Sequence, residues 1–595
     1  MKKISWIIKK TLINCSPYIL INIIIILFVA SIGLAVNLIN KNIINELINC
    51  IEFGKLNSKF FTIICIYIGV YLIHSASGFL NVFGTNFCRF KIDKLFYDIF
   101  IRKAYYTEQE KFLSTKFLEE FSFVRDNISK ISQYINTIIN IIFSNVFSII
   151  SSIVIFIIYS PILVFYFIFV GMLSFILAYY SSKNEYDLEK RQIKEQMFAS
   201  YYKNILTSKN YARELRIYKT KEFIYKKWKS NFLKLKNEKL NLEIKKVKLN
   251  NIIVLIKILL RFLSVIILVI DIYNSRYDLG TFVMLFGLTE TCAIQINRLV
   301  SFMISGSKKD NKYLENYYDF IFEDGYNIEG YNINTKKLPF GIFDKLIVKN
   351  VSYMYPNSSQ LALKNISFEL NRGEIITILG YNGSGKTTLS KIIAGSIEPL
   401  EGEVYINNEL ITREKKFDAY KYFGLAPQEY SKFYISIKEY VGLGRVEEMY
   451  NDEELENAYK KTNLNSILNN LSDYDETKLG KELYENGIDL SIGEWQKLVL
   501  SSAYMGNPEI IIMDEPTASI DPIKEMEIIE NFRKDIKGKS AILISHRIGF
   551  ARLADKIIVM SAGKIIEQGT HDELVSQNGY YAEIFYKQKN LYHEE

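Results

Sequence analysis

Apolar and polar residues are distributed differently in the two halves of this 595-residue chain. The first half contains six apolar stretches of roughly 20 residues, the length that a helix needs to cross a bilayer. The first stretch is longer than the apolar region of a secretory signal, so we interpret it as a retained span. The sixth contains the polar segment TETCAIQINR and is expected to face a cavity or another helix on one side. The predicted spans are residues 17–36, 60–84, 134–159, 162–180, 252–273 and 281–305.

Basic residues are concentrated on one side of these spans. Residues 85–133 carry nine Lys and Arg and residues 181–250 carry nineteen, whereas residues 37–59 carry three and residues 274–280 carry one. Cytoplasmic loops of membrane proteins are enriched in Lys and Arg. The pattern therefore predicts a multi-pass protein of the cytoplasmic membrane, with the N-terminus and both long basic segments in the cytoplasm.

The two long basic segments have helical patterns with short breaks, such as LTSKNYARELRIY (Leu206–Tyr218). We interpret them as helical extensions of the spans. Two roles remain open at this point, either as levers that touch a cytosolic partner or as solvated helical hairpins. Membrane topology already accounts for their basic charge, so no nucleic acid is expected as a partner.

The second half of the chain has a different periodicity. From about Asp344, short apolar runs alternate with amphipathic segments, which is typical of α/β domains. The segment SKKDNKYLENYYDF just before it has the pattern of an amphipathic linker helix. We therefore predict a transmembrane domain at 1–306, a linker at 307–343, an α/β domain at 344–585 and a C-terminal tail at 586–595.

Cysteine usage limits the chemistry of the chain. Its five cysteines are at positions 15, 50, 65, 88 and 292, and no pair has metal-ligand or redox spacing. A disulfide framework is therefore not expected, and the cysteine-free second half is expected in the cytosol.

The segment GYNGSGKTT (Gly380–Thr388) follows an apolar run, Ile375–Leu379, and precedes an amphipathic helix. Its first eight residues fit the pattern G-x-x-x-x-G-K-[ST], in which backbone N–H groups of a glycine-rich loop surround phosphate oxygens. In this pattern Lys386 contacts the β and γ phosphates and Thr387 offers its hydroxyl to Mg²⁺. The strand–loop–helix context predicts a phosphate-binding loop.

A second apolar run, in EIIIMDEP, ends in two acidic residues. Asp514 is placed to hold Mg²⁺, and Glu515 to orient and polarise an attacking water. The alternative is a strand that ends in two solvated acids. That alternative is weaker, because the apolar run directs both acids to one edge of the sheet. The two motifs together predict ATP and Mg²⁺ as cofactors.

These motifs, in this order and spacing, resemble those of ABC transporters, and the whole chain is similar to a half-size ABC exporter. The resemblance implies an all-α six-helix transmembrane domain with long cytoplasmic helical extensions, followed by an α/β P-loop ATPase domain with a helical subdomain. It also implies that ARELRIY touches the ATPase domain, which favours the lever interpretation.

The resemblance assigns roles to further residues. Tyr355 in VSYMYP is similar to the aromatic residue that stacks on adenine, and Gln428 in GLAPQEY to the glutamine that contacts Mg²⁺. His546 in LISHR is similar to the histidine that touches the γ-phosphate, and ASID (Ala518–Asp521) to the loop that links two ATP sites. The implied site is catalytic Glu515 and His546, nucleotide-binding Tyr355, Gly380, Asn382, Gly383, Ser384, Gly385, Lys386, Thr387, Thr388, Gln428, Ser491, Gly493 and Asp514, and Mg²⁺ ligands Thr387, Gln428 and Asp514.

The signature segment departs from the family pattern Leu-Ser-Gly-Gly-Gln, because it is LSIGE here. In the family this segment binds the ATP held by the other subunit. Ser491 and Gly493 are retained, whereas Ile492 replaces a glycine and is expected to hinder a close backbone approach. Ser491-x-x-Glu494 predicts a capping box, in which the glutamate turns back to the N-cap amide. We therefore expect the helix N-terminus to be kept and to bind phosphate less tightly.

The implied activity is ATP hydrolysis coupled to export of an amphipathic or hydrophobic substrate by alternating access. The segments LSxGEWQK and DPIKE are similar to those of exporters of lanthipeptides and other bacteriocins. A multidrug or lipid exporter and a non-pumping channel or regulator are the alternatives. The implied partners are the lipid bilayer, the exported peptide or small molecule, and a second half-transporter. A homodimer is the simplest arrangement, because Glu515 and His546 are both present, and a heterodimer is the alternative.

Among the charged residues within the last two predicted spans, four are candidates for contact with cargo. Lys257 and Arg261 lie one turn apart in the fifth, and Glu290 and Arg298 lie in the sixth. Charges within a membrane are costly and often functional. They either contact a charged group of the cargo, or are structural, with Lys257 snorkelling to the interface or pairing with Glu290.

Overall fold

The computed structural model describes residues 2–323, 342–356, 358–412, 419–515, 538–546 and 548–591. These residues form two compact units. The first contains residues 2–106 and 119–323, and the second contains residues 107–118 and the described residues from 342 onwards. The predicted site-linking loop, Ala518–Asp521, lies outside the described residues, as do residues 324–341 of the expected linker.

The N-terminal part of the chain is helical because its apolar runs continue directly into polar helical segments. In the described residues, six helical segments are long and apolar enough to cross a membrane, and each overlaps one predicted span. The sixth extends over Leu279–Ile304. The helices are α1 (Lys2–Glu52), α2 (Ser58–Tyr106), α3 (Thr115–Asn140), α4 (Val146–Tyr159), α5 (Ile162–Thr207), α6 (Lys209–Ile217), α7 (Lys221–Tyr273), α8 (Leu279–Ser301) and α9 (Ser307–Phe322).

The outer surface of these helices is apolar. Ile24, Phe79 and Leu259, for example, are 67%, 73% and 65% exposed. An apolar surface of this extent is unfavourable in contact with water. The buried contacts lie between helices, with Phe156 of α4 and Leu285 of α8 in one cluster. Helices that are apolar on their outer faces match a lipid environment, so the chain is a membrane protein.

The ionisable residues of α7 and α8 have different partners. Arg261 forms an ion pair with Glu290, with Nη2 and Oε2 2.8 Å apart. Lys257 donates instead to Oγ of Ser174 at 2.9 Å and to Oδ1 of Asn297 at 2.7 Å. Pairing of Lys257 with Glu290, one of the alternatives from the sequence, is therefore not what the structure has.

The second unit is built on two sheets. An antiparallel sheet has the strand order β2-β1-β4-β5, and a six-stranded sheet has the order β10-β9-β3-β8-β7-β6, in which only β10 is antiparallel to its neighbour. The central strands are short buried runs of β-branched and other apolar residues, as parallel strands covered on both faces require. The strands are β1 (Lys345–Tyr353), β2 (Leu363–Asn371), β3 (Ile375–Leu379), β4 (Glu401–Ile406), β5 (Glu409–Leu410), β6 (Phe423–Ala426), β7 (Ile510–Asp514), β8 (Ser540–Ile544), β9 (Lys556–Ser561) and β10 (Lys564–Gly569).

Helices cover this sheet, and a helical subdomain is inserted between β6 and β7. Its buried residues around Tyr440, Tyr459 and Trp495 form one cluster with residues of the sheet, such as Ile511 of β7 and Leu543 of β8. The observed helices and sheets confirm the predicted α/β domain with a helical subdomain. The helices are α10 (Lys386–Ile393), α11 (Ile437–Gly442), α12 (Asp452–Lys461), α13 (Asn465–Leu468), α14 (Ile492–Tyr504), α15 (Ile548–Ala551), α16 (His571–Ser576) and α17 (Tyr580–Leu591).

The short segment between α2 and α3 belongs to the second unit. Within it, Glu110 Oε1 accepts a hydrogen bond of 3.1 Å from the backbone N–H of Glu398, which lies just before β4. Burial raises the pKa of the Glu110 carboxyl. Part of the first basic segment therefore packs with the α/β domain.

Candidate functional site

At two positions of the loop between β3 and α10, only glycine fits. Gly385 has a φ of 101°, and a Cβ there would lie 2.7 Å from the carbonyl oxygen of Ala362. A Cβ on Gly380 would clash with the carbonyl oxygen of Met560 in β9. A side chain at either position would therefore push the loop away from the strands that support it.

Lys386 is the first residue of α10, and its side chain lies inside this loop. The side chain is buried, and Nζ donates to the carbonyl oxygens of Gly380 at 2.7 Å and Tyr381 at 3.1 Å. Burial lowers the pKa of the Lys386 ammonium, and the nearby carboxylates of Glu515 and Asp514 oppose this effect. The loop thus surrounds one positive charge, as a phosphate-binding loop requires.

Two buried polar atoms beside the loop have no hydrogen-bond partner among the described residues. They are Oδ1 of Asp514, at the end of β7, and Oγ of Ser384. The other carboxylate oxygen of Asp514 lies 3.5 Å from Oγ of Ser390, and burial raises the pKa of this carboxyl. Unpaired buried polar atoms are uncommon in proteins. A carboxylate and hydroxyls at this place fit Mg²⁺ and phosphate oxygens as ligands.

The sheet topology brings the motifs to one edge. Strands β3, β8, β7 and β6 are parallel neighbours, and each is followed by a predicted site residue. The phosphate loop follows β3, His546 follows β8, Glu515 follows β7, and Gln428 follows β6. Ligands of open α/β sheets bind at the carboxyl ends of such strands.

Glu515 contacts two of the other predicted residues. Its Oε1 lies 3.2 Å from Nδ1 of His546, and its Oε2 accepts a hydrogen bond of 3.0 Å from Nε2 of Gln428. Its backbone N–H donates to the carbonyl oxygen of Ile544 in β8 at 2.8 Å. Glu515 has a φ of 52°, which is uncommon for a residue with a side chain. Such strained positions cluster at functional sites, where the surroundings hold them in place.

Tyr355 lies at the other side of the loop. Its hydroxyl is 2.9 Å from Oγ1 of Thr388, and its ring packs edge-to-face against Tyr353 with the ring centroids 5.0 Å apart. Both contacts hold the ring beside the loop, where the sequence predicts contact with adenine.

These residues line a cavity of about 960 Å³, large enough for a nucleotide. Ser384 and Asp514 are buried next to it, whereas Ser491 and Gly493 are not part of its lining. The structure thus brings the predicted residues together except for the two in the signature segment. The predicted residues in the lining are Tyr355, Gly380, Asn382, Gly383, Gly385, Lys386, Thr387, Thr388, Gln428, Glu515 and His546.

The signature segment starts α14 with the predicted capping box. The backbone N–H of Glu494 donates to Oγ of Ser491 at 3.4 Å, and the backbone N–H of Ser491 donates to Oε2 of Glu494 at 2.7 Å. The carboxylate is therefore turned to its own helix terminus. Ile492, in contrast, is 63% exposed at the start of the helix, and a Cβ on Gly493 would meet nothing within 4 Å.

Five residues that line the cavity were not predicted as site residues, namely Ala362, Leu379, Tyr381, Ile584 and Lys587. Tyr381 packs edge-to-face against Tyr580, with the ring centroids 5.4 Å apart, and Ile584 and Lys587 of α17 also line the cavity. Residues 586–591, expected to be a tail, continue this helix. Tyr381 stands inside the phosphate-loop motif, which was a usable signal, but α17 carries no motif that points to the cavity.

Residues 363–518 match the family model for ABC transporters. The subtilin transport ATP-binding protein SpaT of Bacillus subtilis is 29% identical over 418 residues, which cover 69% of this chain and 64% of SpaT. The nisin transport ATP-binding protein NisT of Lactococcus lactis subsp. lactis is 35% identical over 242 residues, which cover 41% of this chain and 40% of NisT. The chain thus covers less than two thirds of either relative.

A solved structure of a bacterial Atm1-family ABC exporter with ATP bound matches nearly the whole chain. The TM-score is 0.71 at 18% sequence identity, and the match covers 95% of this chain and 98% of the other. At this level of identity the likeness establishes a shared fold. It confirms the predicted fold class, a helical domain with six candidate spans followed by an α/β domain.

Proposed function

We propose that this chain is an ABC exporter that uses ATP hydrolysis to drive export of an amphipathic or hydrophobic substrate across a membrane, because residues 363–518 match the ABC transporter family model and the chain has the fold of an ABC exporter. One observation carries the proposal. A phosphate loop, Gln428, Glu515 and His546 line one cavity in a chain that also has six candidate spans.

The proposed chemistry assigns one task to each group of residues. Lys386 and the backbone N–H groups of the loop bind the phosphates of ATP, and Tyr355 stacks on the adenine. Thr387, Gln428 and Asp514 hold Mg²⁺, which neutralises phosphate charge when bound.

The bond-breaking step depends on the pair of side chains at the cavity edge. Glu515 accepts the proton of the attacking water, and its hydrogen bond from Gln428 fixes the direction of one carboxylate oxygen. His546 lies against the other oxygen and reaches towards the γ-phosphate. In this role Glu515 is the general base, and His546 positions both the base and the terminal phosphate.

The active form is proposed to be a dimer. Ser491 and Gly493 do not line the cavity that holds the phosphate loop of the same chain. A second copy facing the first supplies its own signature segment to that cavity, with the positive end of α14 directed at phosphate. A homodimer satisfies this arrangement because each copy has both the phosphate loop and Glu515. A heterodimer with a related half-transporter is the alternative.

The proposed location is the cytoplasmic membrane. The two long basic segments and the ATPase domain lie on the cytoplasmic side, because Lys and Arg are concentrated there. In this arrangement ATP binding closes two ATPase domains, the helical extensions move with them, and hydrolysis reopens the dimer.

The proposed cargo is a peptide of the lanthipeptide or bacteriocin kind. The match to the subtilin transport protein extends over 418 residues, which is more than the whole chain after residue 343. It therefore includes part of the transmembrane domain, where the cargo is chosen. The nisin transport protein, which is similar over 41% of this chain, supports the same class.

Transport in proteoliposomes tests the proposal. The full chain is reconstituted, ATP is added on the side of the ATPase domain, and uptake of a fluorescent amphipathic peptide, a labelled phospholipid and a cationic dye is measured in parallel. We expect peptide uptake that requires ATP and that Glu515→Gln abolishes. Uptake of the phospholipid or the dye without uptake of the peptide would contradict the peptide class and assign the cargo to lipids or drugs. ATP hydrolysis without transport of any probe and without stimulation by any probe would favour a channel or regulator.

A further inference from the structure

Lys257 carries a positive charge within the membrane domain and has no ion-pair partner in the described part of the chain. It lies on α7, five residues after Ile252, where the apolar run begins. At ~1.5 Å per residue this places its Cα about 8 Å from the start of that run. A charge at such a position is costly unless it is compensated.

Snorkelling does not account for this residue. Its Nζ is held by Oγ of Ser174 on α5 at 2.9 Å and by Oδ1 of Asn297 on α8 at 2.7 Å. Ser174 is 4% exposed, so the ammonium is directed between three helices and not out along its own helix. Both partners are neutral, and neither cancels the charge.

The neighbouring charges do not provide a counter-ion either. Arg261, one turn further along α7, already forms an ion pair of 2.8 Å with Glu290. Arg261 also lies over the ring of Phe286, with the guanidinium 4.8 Å from the ring centroid. That pair is neutral as a unit, so Lys257 is left as the net charge of this cluster.

The cluster also has unused hydrogen-bond donors. An ammonium has three N–H bonds, and Lys257 uses two of them on Ser174 and Asn297. The amide oxygen of Asn297 faces the ammonium, so the NH₂ group of Asn297 points away from it. This NH₂ group has no hydrogen-bond partner in the described residues. The unused groups are thus the third N–H of the Lys257 ammonium and the NH₂ group of Asn297. A cation with such donors, held by three helices, matches the requirements of a carboxylate or phosphate oxygen.

We propose that Lys257, Ser174 and Asn297 form a binding site for an anionic group, a carboxylate or a phosphate, in the cytoplasmic half of the membrane domain. The proposal rests on the proposed function, because it names a chemical feature of what the transporter binds. The anion comes either from an amphipathic cargo molecule or from the headgroup of an anionic phospholipid. Both present the same oxygen chemistry to the ammonium.

Equilibrium binding to the full-length chain tests this site without depending on transport. The chain is placed in nanodiscs of phosphatidylcholine, without nucleotide, and binding of N-dodecanoylglycine is measured by calorimetry. The uncharged methyl ester of the same molecule is the matched probe. We expect the carboxylate to bind wild type more tightly than the ester, and Lys257→Met to weaken carboxylate binding about tenfold or more. Lys257→Arg, which keeps the charge, is expected to retain most of it.

Two controls make the result specific. Lys248→Met removes an exposed lysine from the same helix on the polar side and is expected to leave binding unchanged. Replacing one part of the phosphatidylcholine by phosphatidylglycerol distinguishes the two sources of the anion. If the lipid headgroup is the ligand, phosphatidylglycerol displaces the carboxylate probe from wild type and remains attached to it, but not to Lys257→Met, in native mass spectrometry.

The proposal is overturned if wild type binds the carboxylate no more tightly than its ester, a comparison that needs no variant. It is also overturned if Lys257→Met binds the carboxylate as wild type does. ATPase activity is measured on the same samples. Anion binding without ATP hydrolysis would leave this site in place and remove the proposed function, whereas hydrolysis without anion selectivity would do the reverse.

Discussion

The side-chain amide of Gln428 donates a hydrogen bond of 3.0 Å to Oε2 of Glu515. Gln428 follows β6 and Glu515 follows β7, so the bond joins the ends of two parallel strands. The same amide has its oxygen 3.5 Å from Oγ1 of Thr387. One side chain thus connects the proposed base to the proposed Mg²⁺ ligand of the phosphate loop, and metal binding is expected to affect the direction of the base.

The first prediction concerns Glu515. Glu515→Gln keeps the shape of the side chain and removes its ability to accept a proton, so we expect ATP hydrolysis to fall by about 10²–10⁴-fold. ATP affinity is expected to stay close to wild type, because the phosphate loop and Asp514 are unchanged. Phosphate release and equilibrium binding of a fluorescent ATP analogue measure the two quantities. Near-normal hydrolysis by this variant would show that another group is the base.

The second prediction concerns Ile492. Its exposed side chain stands at the helix terminus that the proposal directs at the partner's phosphate. Removing the side chain in Ile492→Gly is expected to allow closer approach and to strengthen ATP-driven dimerisation. Light scattering of the Glu515→Gln background with Mg²⁺ and ATP measures this, with Leu483→Gly, at another exposed apolar position of the subdomain, as the control. An unchanged dimerisation constant would mean that Ile492 does not limit approach.

The third prediction concerns the capping role of Glu494. Its carboxylate accepts the 2.7 Å hydrogen bond from the backbone N–H of Ser491. Glu494→Ala loses this bond and is expected to cost about 0.5–1.5 kcal/mol in the free energy of unfolding. Glu494→Gln keeps a side chain that can accept the same bond and should lie close to wild type. Thermal unfolding of the detergent-solubilised protein compares the two, and equal losses would contradict a capping role.

The fourth prediction is a pH dependence. Burial lowers the pKa of Lys386 below that of an ordinary lysine. The charged form binds phosphate, so nucleotide affinity should fall as pH rises towards this lowered pKa, earlier than for a free lysine. In Lys386→Arg the guanidinium stays charged, and its affinity, although altered by the different shape, should remain flat over the same range. Parallel pH curves for the two proteins would assign the titration to another group.

Local patterns were sufficient for the parts of the fold and site that depend on neighbouring residues. The six apolar stretches, the glycine loop before Lys386 and the capping box at Ser491 each need only a short stretch of sequence. The convergence of Gln428 and Glu515 was available only through the family resemblance, because it depends on which strands are neighbours. The individual roles of these residues stay predictions.

Other features depend on packing that no local pattern encodes. The lining of the cavity by Ile584 and Lys587 requires α17 to fold back towards the phosphate loop, and neither residue is part of a motif. Glu290 pairs with Arg261 and not with Lys257. This pairing depends on which faces of α7 and α8 are in contact. Glu515 likewise combines a positive φ with a backbone hydrogen bond to Ile544 of the neighbouring strand.

The central claim is that each ATP site is completed by the signature segment of a second chain. Cysteine cross-linking between position 491 and position 382 tests it most directly. The natural cysteines all precede residue 293, so a cysteine-free background can be made without changing the ATPase domain. Ser491→Cys and Asn382→Cys are placed together in the Glu515→Gln protein, with Lys386→Ala in the same background as the control.

With Mg²⁺ and ATP, the account predicts a covalent dimer after addition of a short bifunctional thiol reagent. Little dimer is expected without nucleotide or in the Lys386→Ala control. A protein that stays monomeric under all conditions, or that is cross-linked equally with and without ATP, would contradict an ATP site shared between two chains.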